Sequence, residues 1–256
     1  MRRVSLALIA LALIGSDGCS KTPTQPTSTA AQGTIDQFTA SLDVLASVPY
    51  TFVITQTTNV TVTLVSVIDA AGLVSPAALG LAVGTTPDGT TCTPVTSVRT
   101  APALTAQIRS TLNPGNYCVQ VSDPGVLTGT STVVVRIIQN PPIPPPASTT
   151  ATETFASNIA AGGLASKTFY ASQPGTISVT LSSLTPSSTA GLAVGVPGLD
   201  GNGCNLNAML KTGPGSSPQF TLPVDTAPYC VRIFDAGGLA TGANGLASFS
   251  ITIVHP

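Results

Sequence analysis

Apolar and polar residues alternate along most of this chain with a period of two. Val60, Val62 and Leu64 alternate with Thr61, Thr63 and Val65. Ile177, Val179 and Leu181 alternate with Ser178, Thr180 and Ser182, and Phe249, Ile251 and Ile253 alternate with Ser250 and Thr252. An apolar face backed by a Ser/Thr face predicts antiparallel strands half-buried on a partner sheet. Gly, Pro and Asp clusters punctuate these runs, so the chain reads as strands and turns with little helix.

The pattern occurs twice. Phe38 and Phe52 match Phe155 and Phe169 at an offset of 117 residues, and "GLAVG" occurs at Gly80–Gly84 and again at Gly191–Gly195, an offset of 111. "YC" at Tyr117-Cys118 returns at Tyr229-Cys230, and the last strands, from Ser131 and from Ala247, match at an offset of 116. A drifting offset between similar strands marks a tandem duplication whose loops have changed length, a change that costs little. Six to eight short strands per copy predict a β-sandwich of about 105 residues. The expected fold is all-β: two tandem antiparallel β-sandwich domains, jelly-roll or immunoglobulin-like, at 34–139 and 151–256. Between them, residues 140–150 include five prolines from Pro141 to Pro146. Such a segment favours polyproline II, and at about 3.1 Å per residue it is expected to hold the domains roughly 30 Å apart.

The first residues change the picture of where the protein works. Met1-Arg2-Arg3 is a basic start, and the apolar run Val4–Ile14 is too short to span a bilayer, so 1–18 reads as a signal peptide. Gly18-Cys19 after such a run resembles a bacterial lipoprotein cleavage site. That resemblance implies lipidation of Cys19 and a membrane anchor, although Ser16 and Asp17 depart from the usual residues there. Residues 19–33 are rich in Thr, Pro and Ser and read as a flexible tether. The expected location is the bacterial cell envelope, lipid-anchored at the outer membrane or cell surface, with a periplasmic or secreted protein as the alternative.

The order of strand motifs carries a second resemblance. Each copy has an early "F-x-A/S" strand, a "T-F" strand, "VTVTL" or "ISVTL", "GLAV", and then "GNYCVQV" or "APYCVRI" before a final alternating strand. The two copies resemble the bacterial pre-peptidase C-terminal domain. That family implies a β-sandwich found beside secreted proteases and other exported enzymes. The second copy departs from the pattern with Ala227-Pro228 where a glycine usually precedes the tyrosine, and no protease domain accompanies the pair.

Five cysteines divide as one plus four. Cys92 and Cys118, and likewise Cys204 and Cys230, stand 26 residues apart. An exported compartment is oxidising, so two intradomain disulfides follow. Tyr117, Val119 and Val121 share one face of their strand and Cys118 takes the other, so each bridge is expected on the outer surface of a sheet. The loops pinned this way, Asp88–Ala103 and Asp200–Gln219, are the first place to expect a binding surface.

Candidate chemistry is sparse. Net charge is −1, which gives no footprint for nucleic acid. His255 is the only histidine and is expected to be terminal and solvated; no Gly-x-Ser-x-Gly elbow occurs. Asp88 and the Asp200–Asn202 stretch offer Asp-Gly turns, the second weakly resembling a calcium loop that lacks its later acidic ligand. Asp123 and Asp235 are expected to cap turns. Tyr170 and Phe234 are the aromatics free to stack on a sugar. No catalytic residue, metal or cofactor is expected. The expected function is non-catalytic: a binding, scaffold or accessory lipoprotein whose partner is an envelope or extracellular protein or a glycan. A carbohydrate- or small-ligand-binding module is the alternative, and a carboxylate-based hydrolase a remote one.

Overall fold

The computed structural model describes residues 33–141, 150–199 and 203–256. Signal peptide, Cys19 and tether therefore lie outside the described residues, except for Gly33. So do most of the linker and the Asp200–Asn202 stretch.

Sixteen strands form four antiparallel sheets of four. The first unit comprises β1 (Thr34–Leu42), β2 (Ser47–Ile54), β3 (Thr58–Ile68), β4 (Leu79–Thr85), β5 (Thr93–Thr100), β6 (Ile108–Leu112), β7 (Gly115–Ser122) and β8 (Ser131–Gln139). The second comprises β9 (Ala151–Ala160), β10 (Leu164–Ala171), β11 (Gly175–Thr185), β12 (Ala190–Pro197), β13 (Cys204–Thr212), β14 (Phe220–Val224), β15 (Ala227–Phe234) and β16 (Leu246–His255). In the first unit the sheets run β1-β8-β3-β6 and β2-β7-β4-β5. The pairs β1/β8, β2/β7, β3/β6 and β4/β5 are nested one inside the next, as in a single long hairpin wrapped into two layers. That nesting is the jelly roll, not the immunoglobulin arrangement. The second unit repeats it strand for strand.

The duplication extends to the irregularities. A β-bulge interrupts β3 between Leu64 and Ser66 and β11 between Leu181 and Ser183. Beside the bulge, on the side of the strand that faces β6 or β14, a glutamine in both copies takes up a backbone N–H. The Gln107 side chain accepts from the Leu64 N–H at 2.8 Å, and Gln219 accepts from Leu181 N–H at 2.8 Å. A second bulge pairs β4 with β5 and β12 with β13, beside Gly84 and Gly195. Here the strands approach so closely that a Cβ on either glycine would fall on the carbonyl of Thr93 or Asn205. The last glycine of "GLAVG" is set by that approach.

Alternating residues fill each core: Val62, Leu64, Leu81, Val119 and Val135 in the first unit, and Val179, Leu181, Leu192, Val231 and Ile251 in the second. At the open side of each sandwich an acid on the first strand is clasped by a donor on the second. The Tyr50 hydroxyl donates to the Asp36 carboxylate at 2.8 Å, and at the matching positions Lys167 Nζ lies 2.8 Å from Glu153. Burial, then the hydrogen bond and charge of Asp36, push the Tyr50 hydroxyl up to about 12.

Two expectations are corrected. The units are not spaced roughly 30 Å apart; they touch. Val65, Val134 and Ile138, on the outer face of the β1-β8-β3-β6 sheet, belong to the buried cluster of the second unit. Thr61, Thr63 and Ser66 are buried there as well. In the second unit the matching residues of β11, Ser182 and Ser183, are exposed. Nor is His255 solvated. It is buried at the end of β16, tilted against Phe169 with ring centroids 5.1 Å apart and with Nε2 3.1 Å from Glu153.

Candidate functional site

Both disulfides are present, Cys92–Cys118 and Cys204–Cys230. Val119, Val121, Val231 and Ile233 point into the cores, while no cysteine joins either core cluster. Cys118 and Cys230 are nevertheless fully buried, and each ties down the segment that begins at its partner cysteine. Those segments are largely strands, β5 and β13, at the edges of their sheets.

The two pinned strands are used differently. β13 lies against the first unit, where the Ser66 hydroxyl donates to the Leu206 carbonyl. Asn207 Nδ2 donates to the Val65 carbonyl at 2.7 Å. Asn207 and Val65 are each the extra residue of a bulge, so two bulges meet. Strand β5 has no such cover, and its bulge residue Val95 is exposed. In the second copy, then, the pinned segment binds the first copy.

The centre of the junction is Arg136, only 2% exposed on β8. Its Nη1 donates to the Pro228 carbonyl at 3.2 Å and its Nη2 to the Leu104 carbonyl and the Tyr229 hydroxyl, both at 3.4 Å. The guanidinium also lies 5.1 Å from the centre of the Tyr229 ring, a cation–π geometry. Nε has no partner. Tyr229 accepts from Asp225 N–H at 3.0 Å and donates to the Asp225 carbonyl at 2.9 Å. In the first unit Tyr117 likewise donates to the carbonyl four residues upstream, Asn113, at 3.0 Å. This is a tyrosine corner, and it accounts for the tyrosine of "YC" in both copies. Burial raises the Tyr229 hydroxyl, and the charge of Arg136 opposes that. Asp225 completes the junction, accepting from Ala106 N–H at 2.7 Å and pairing with Arg109 at 2.7 Å.

Beside Arg136 an apolar cleft of about 450 Å³ runs between the units, lined by Ile35, Ile138, Tyr170, Thr226, Ala227 and Pro228. Tyr170 is half-buried there, and burial raises its hydroxyl. The buried Thr226 hydroxyl has no partner. Phe234 is only half-exposed: its ring lies across Gly191, where no Cβ would fit.

Of the aspartates singled out from sequence, Asp200 lies outside the described residues, and Asp88, Asp123 and Asp235 are not brought together. Asp88 caps its turn, accepting from the N–H groups of Thr90 and Thr91 at 3.0 and 2.7 Å. The hydrogen bond from the Thr91 side chain, then those two N–H groups, hold its carboxyl far below the usual range. Asp123 sits at the other end of β7, eight residues or roughly 23 Å away. Its carboxylate accepts from Leu45, Gly125, Val126 and Leu127 N–H. Burial raises its pKa, and these four donors outweigh burial and leave it lowered. Asp235 repeats the arrangement, with Gly162, Gly237 and Leu239 as donors and the Gly162 bond the largest cause of a lowered pKa. Among the described residues, no three His, Cys, Asp or Glu side chains gather where they could hold a metal ion.

No protein-family model matches the chain, and no curated protein sequence does. Solved structures match it at low similarity. The exported protein XepA of PBSX is 12% identical, covering 87% of this chain and 86% of its own, with a TM-score of 0.32. A peptide-N4-(N-acetyl-β-D-glucosaminyl) asparagine amidase is 11% identical over 85% of this chain and 96% of its own, with a TM-score of 0.25. A fucolectin from striped bass (Morone saxatilis) serum is 10% identical over 80% and 85%, with a TM-score of 0.21. At these scores the likenesses carry no argument about function.

Proposed function

We propose that this protein is a non-catalytic binding or scaffold component of the bacterial cell envelope. In this reading it is tethered through a lipidated Cys19 and presents two jelly rolls related to the pre-peptidase C-terminal domain as one body. The observation that carries the reading is the use made of the acids among the described residues. Asp36, Asp43, Asp69, Asp88, Asp123, Glu153, Asp225 and Asp235 each accept hydrogen bonds from the turns, clasps or junction of their own fold. General acid–base work needs a group free to meet a substrate. Two disulfides suit an oxidising compartment outside the cytoplasm.

The test is affinity capture from envelope fractions on the purified protein, with free protein as competitor. A partner released by the competitor supports the reading. Turnover of an ester, amide or glycoside that an Asp88 or Glu153 substitution abolishes would overturn it. Intact mass checks the anchor and the bridges in the same sample: a Cys19 without lipid removes the anchor from the proposal.

A further inference from the structure

One end of the first unit presents apolar side chains that its own fold does not use. Leu45 is 73% exposed and its backbone is left-handed, with φ +59°. Left-handed backbone is unfavourable for a residue bearing a Cβ. At the matching position the second copy has Gly162, with φ +71°. The first copy thus holds a bulky residue where its sister uses the one residue free of strain, and then turns that side chain to solvent. Strain kept without structural return points to function.

Leu45 is not alone. Val44 beside it is 45% exposed and Leu73 is 54% exposed. Leu73 lies on the loop 69–78, where the second copy has only 186–189 between the matching strands. That difference is the six-residue drift in offset between the copies. The loop 123–130 runs between these tips. Thr130 donates to Asp43 at 2.6 Å, and a cleft of about 660 Å³ separates 126–131 from 69–75.

The backbone of each tip is pinned. Asp123 fixes Leu45 through its N–H at 2.9 Å, and Asp69 fixes Leu73 through its N–H at 2.9 Å. Apolar groups that are already ordered lose little entropy on binding. The charged side chains on the three loops are Asp43, Asp69 and Asp123, all acidic. Asp123 is buried, but Asp43 is exposed and Asp69 half-exposed, and an anionic lipid surface is repelled by these two. β1 places this end roughly 27 Å from Thr34, so it faces away from where the N-terminal segment enters.

We infer that the Val44–Leu45 and Leu73 tips form a docking surface for a partner protein that offers an apolar pocket bordered by lysine or arginine. The inference rests on the binding reading above and names the surface.

The experiment is selection of a phage-displayed random peptide library on the purified protein. Selected peptides should carry bulky apolar residues flanked by Lys or Arg. A synthetic consensus peptide should bind at least tenfold more weakly to Leu45→Gly and to Leu73→Ser. Leu45→Gly should keep or raise the thermal midpoint, which separates lost binding from lost folding. Three results overturn the surface: no enriched peptide, binding that ignores both substitutions, or a Leu45→Gly protein that melts earlier. Leu45-dependent binding to phosphatidylglycerol vesicles would also overturn it in favour of a membrane. Peptide binding elsewhere on the molecule removes this surface but leaves the binding reading standing, which only the turnover assay can sink.

Discussion

Arg136 shows how much one side chain can decide. Its charge is buried among neutral oxygens and an aromatic ring, without a carboxylate in contact. Removing it takes away the donor to the Pro228 and Leu104 carbonyls and the Tyr229 hydroxyl and empties the space over the Tyr229 ring, so Arg136→Ala is expected to cost about 2–4 kcal/mol in urea unfolding. Arg136→Met, which fills the space without a charge to desolvate, should cost less than the alanine. An equal loss in both would mean that volume alone matters. Tyr50 makes a different prediction. Its folded pKa of about 12 lies above the ordinary tyrosine value of about 10, so the fold binds the proton more tightly than the unfolded chain does. The stability this gives is fully present below pH 10 and falls as pH rises towards 12. Tyr50→Phe should flatten that part of the alkaline unfolding profile. The carboxylates run the other way. Asp123, Glu153 and Asp235 are lowered in the fold, so their contribution is complete above the ordinary carboxylate range and fades as pH falls through and below about 4. Asp123→Asn should shift acid unfolding to higher pH, read by circular dichroism.

At the scale of elements, the alternation made the strands legible, and the shared spacing of the cysteines made the bridges legible. Each bridge closes a loop of 26 residues, so replacing one pair by serine should lower stability by roughly 3.5 kcal/mol. Chemical denaturation with and without reductant checks it. Glutamine at the bulge was not legible, because "AQI" and "PQF" look like ordinary strand starts. Gln107→Ala leaves the Leu64 N–H unpaired and should cost about 1–3 kcal/mol. The junction was partly written in the sequence and easily missed. In β8 the outward positions are Val134, Arg136 and Ile138; in β16 they are Ser250, Thr252 and Val254. A run such as "TVVVRII" is a strand covered on both faces, while "ASFSITIV" is covered on one. Comparing the copies by face, rather than by overall similarity, separates the two. His255 was misplaced for a related reason. Counting from the terminus said exposed, but β16 carries it to the rim of the core, beside the Glu153 clasp.

At the scale of the molecule, the two jelly rolls are one body joined by unlike surfaces. The sheet face of the first meets β13 and the β14–β15 turn of the second. Residues 142–149 lie outside the described residues, and the spacer expected from their prolines said nothing about what the domains do to each other across it. A contact of this kind is heterologous, with no two-fold symmetry to close it. Its free counterparts at the two outer ends have been made polar or left bare: Ser182, Ser250 and Thr252 at one end, Asn113 and Val95 at the other. In a tandem array the outermost surfaces are those that must tolerate water. The duplication that made this protein has therefore become difficult to reverse. Recombination between the repeats that deleted either copy would leave the survivor with half of a junction uncovered. A further round of duplication would offer the newcomer a face of hydroxyls instead of one built around an arginine.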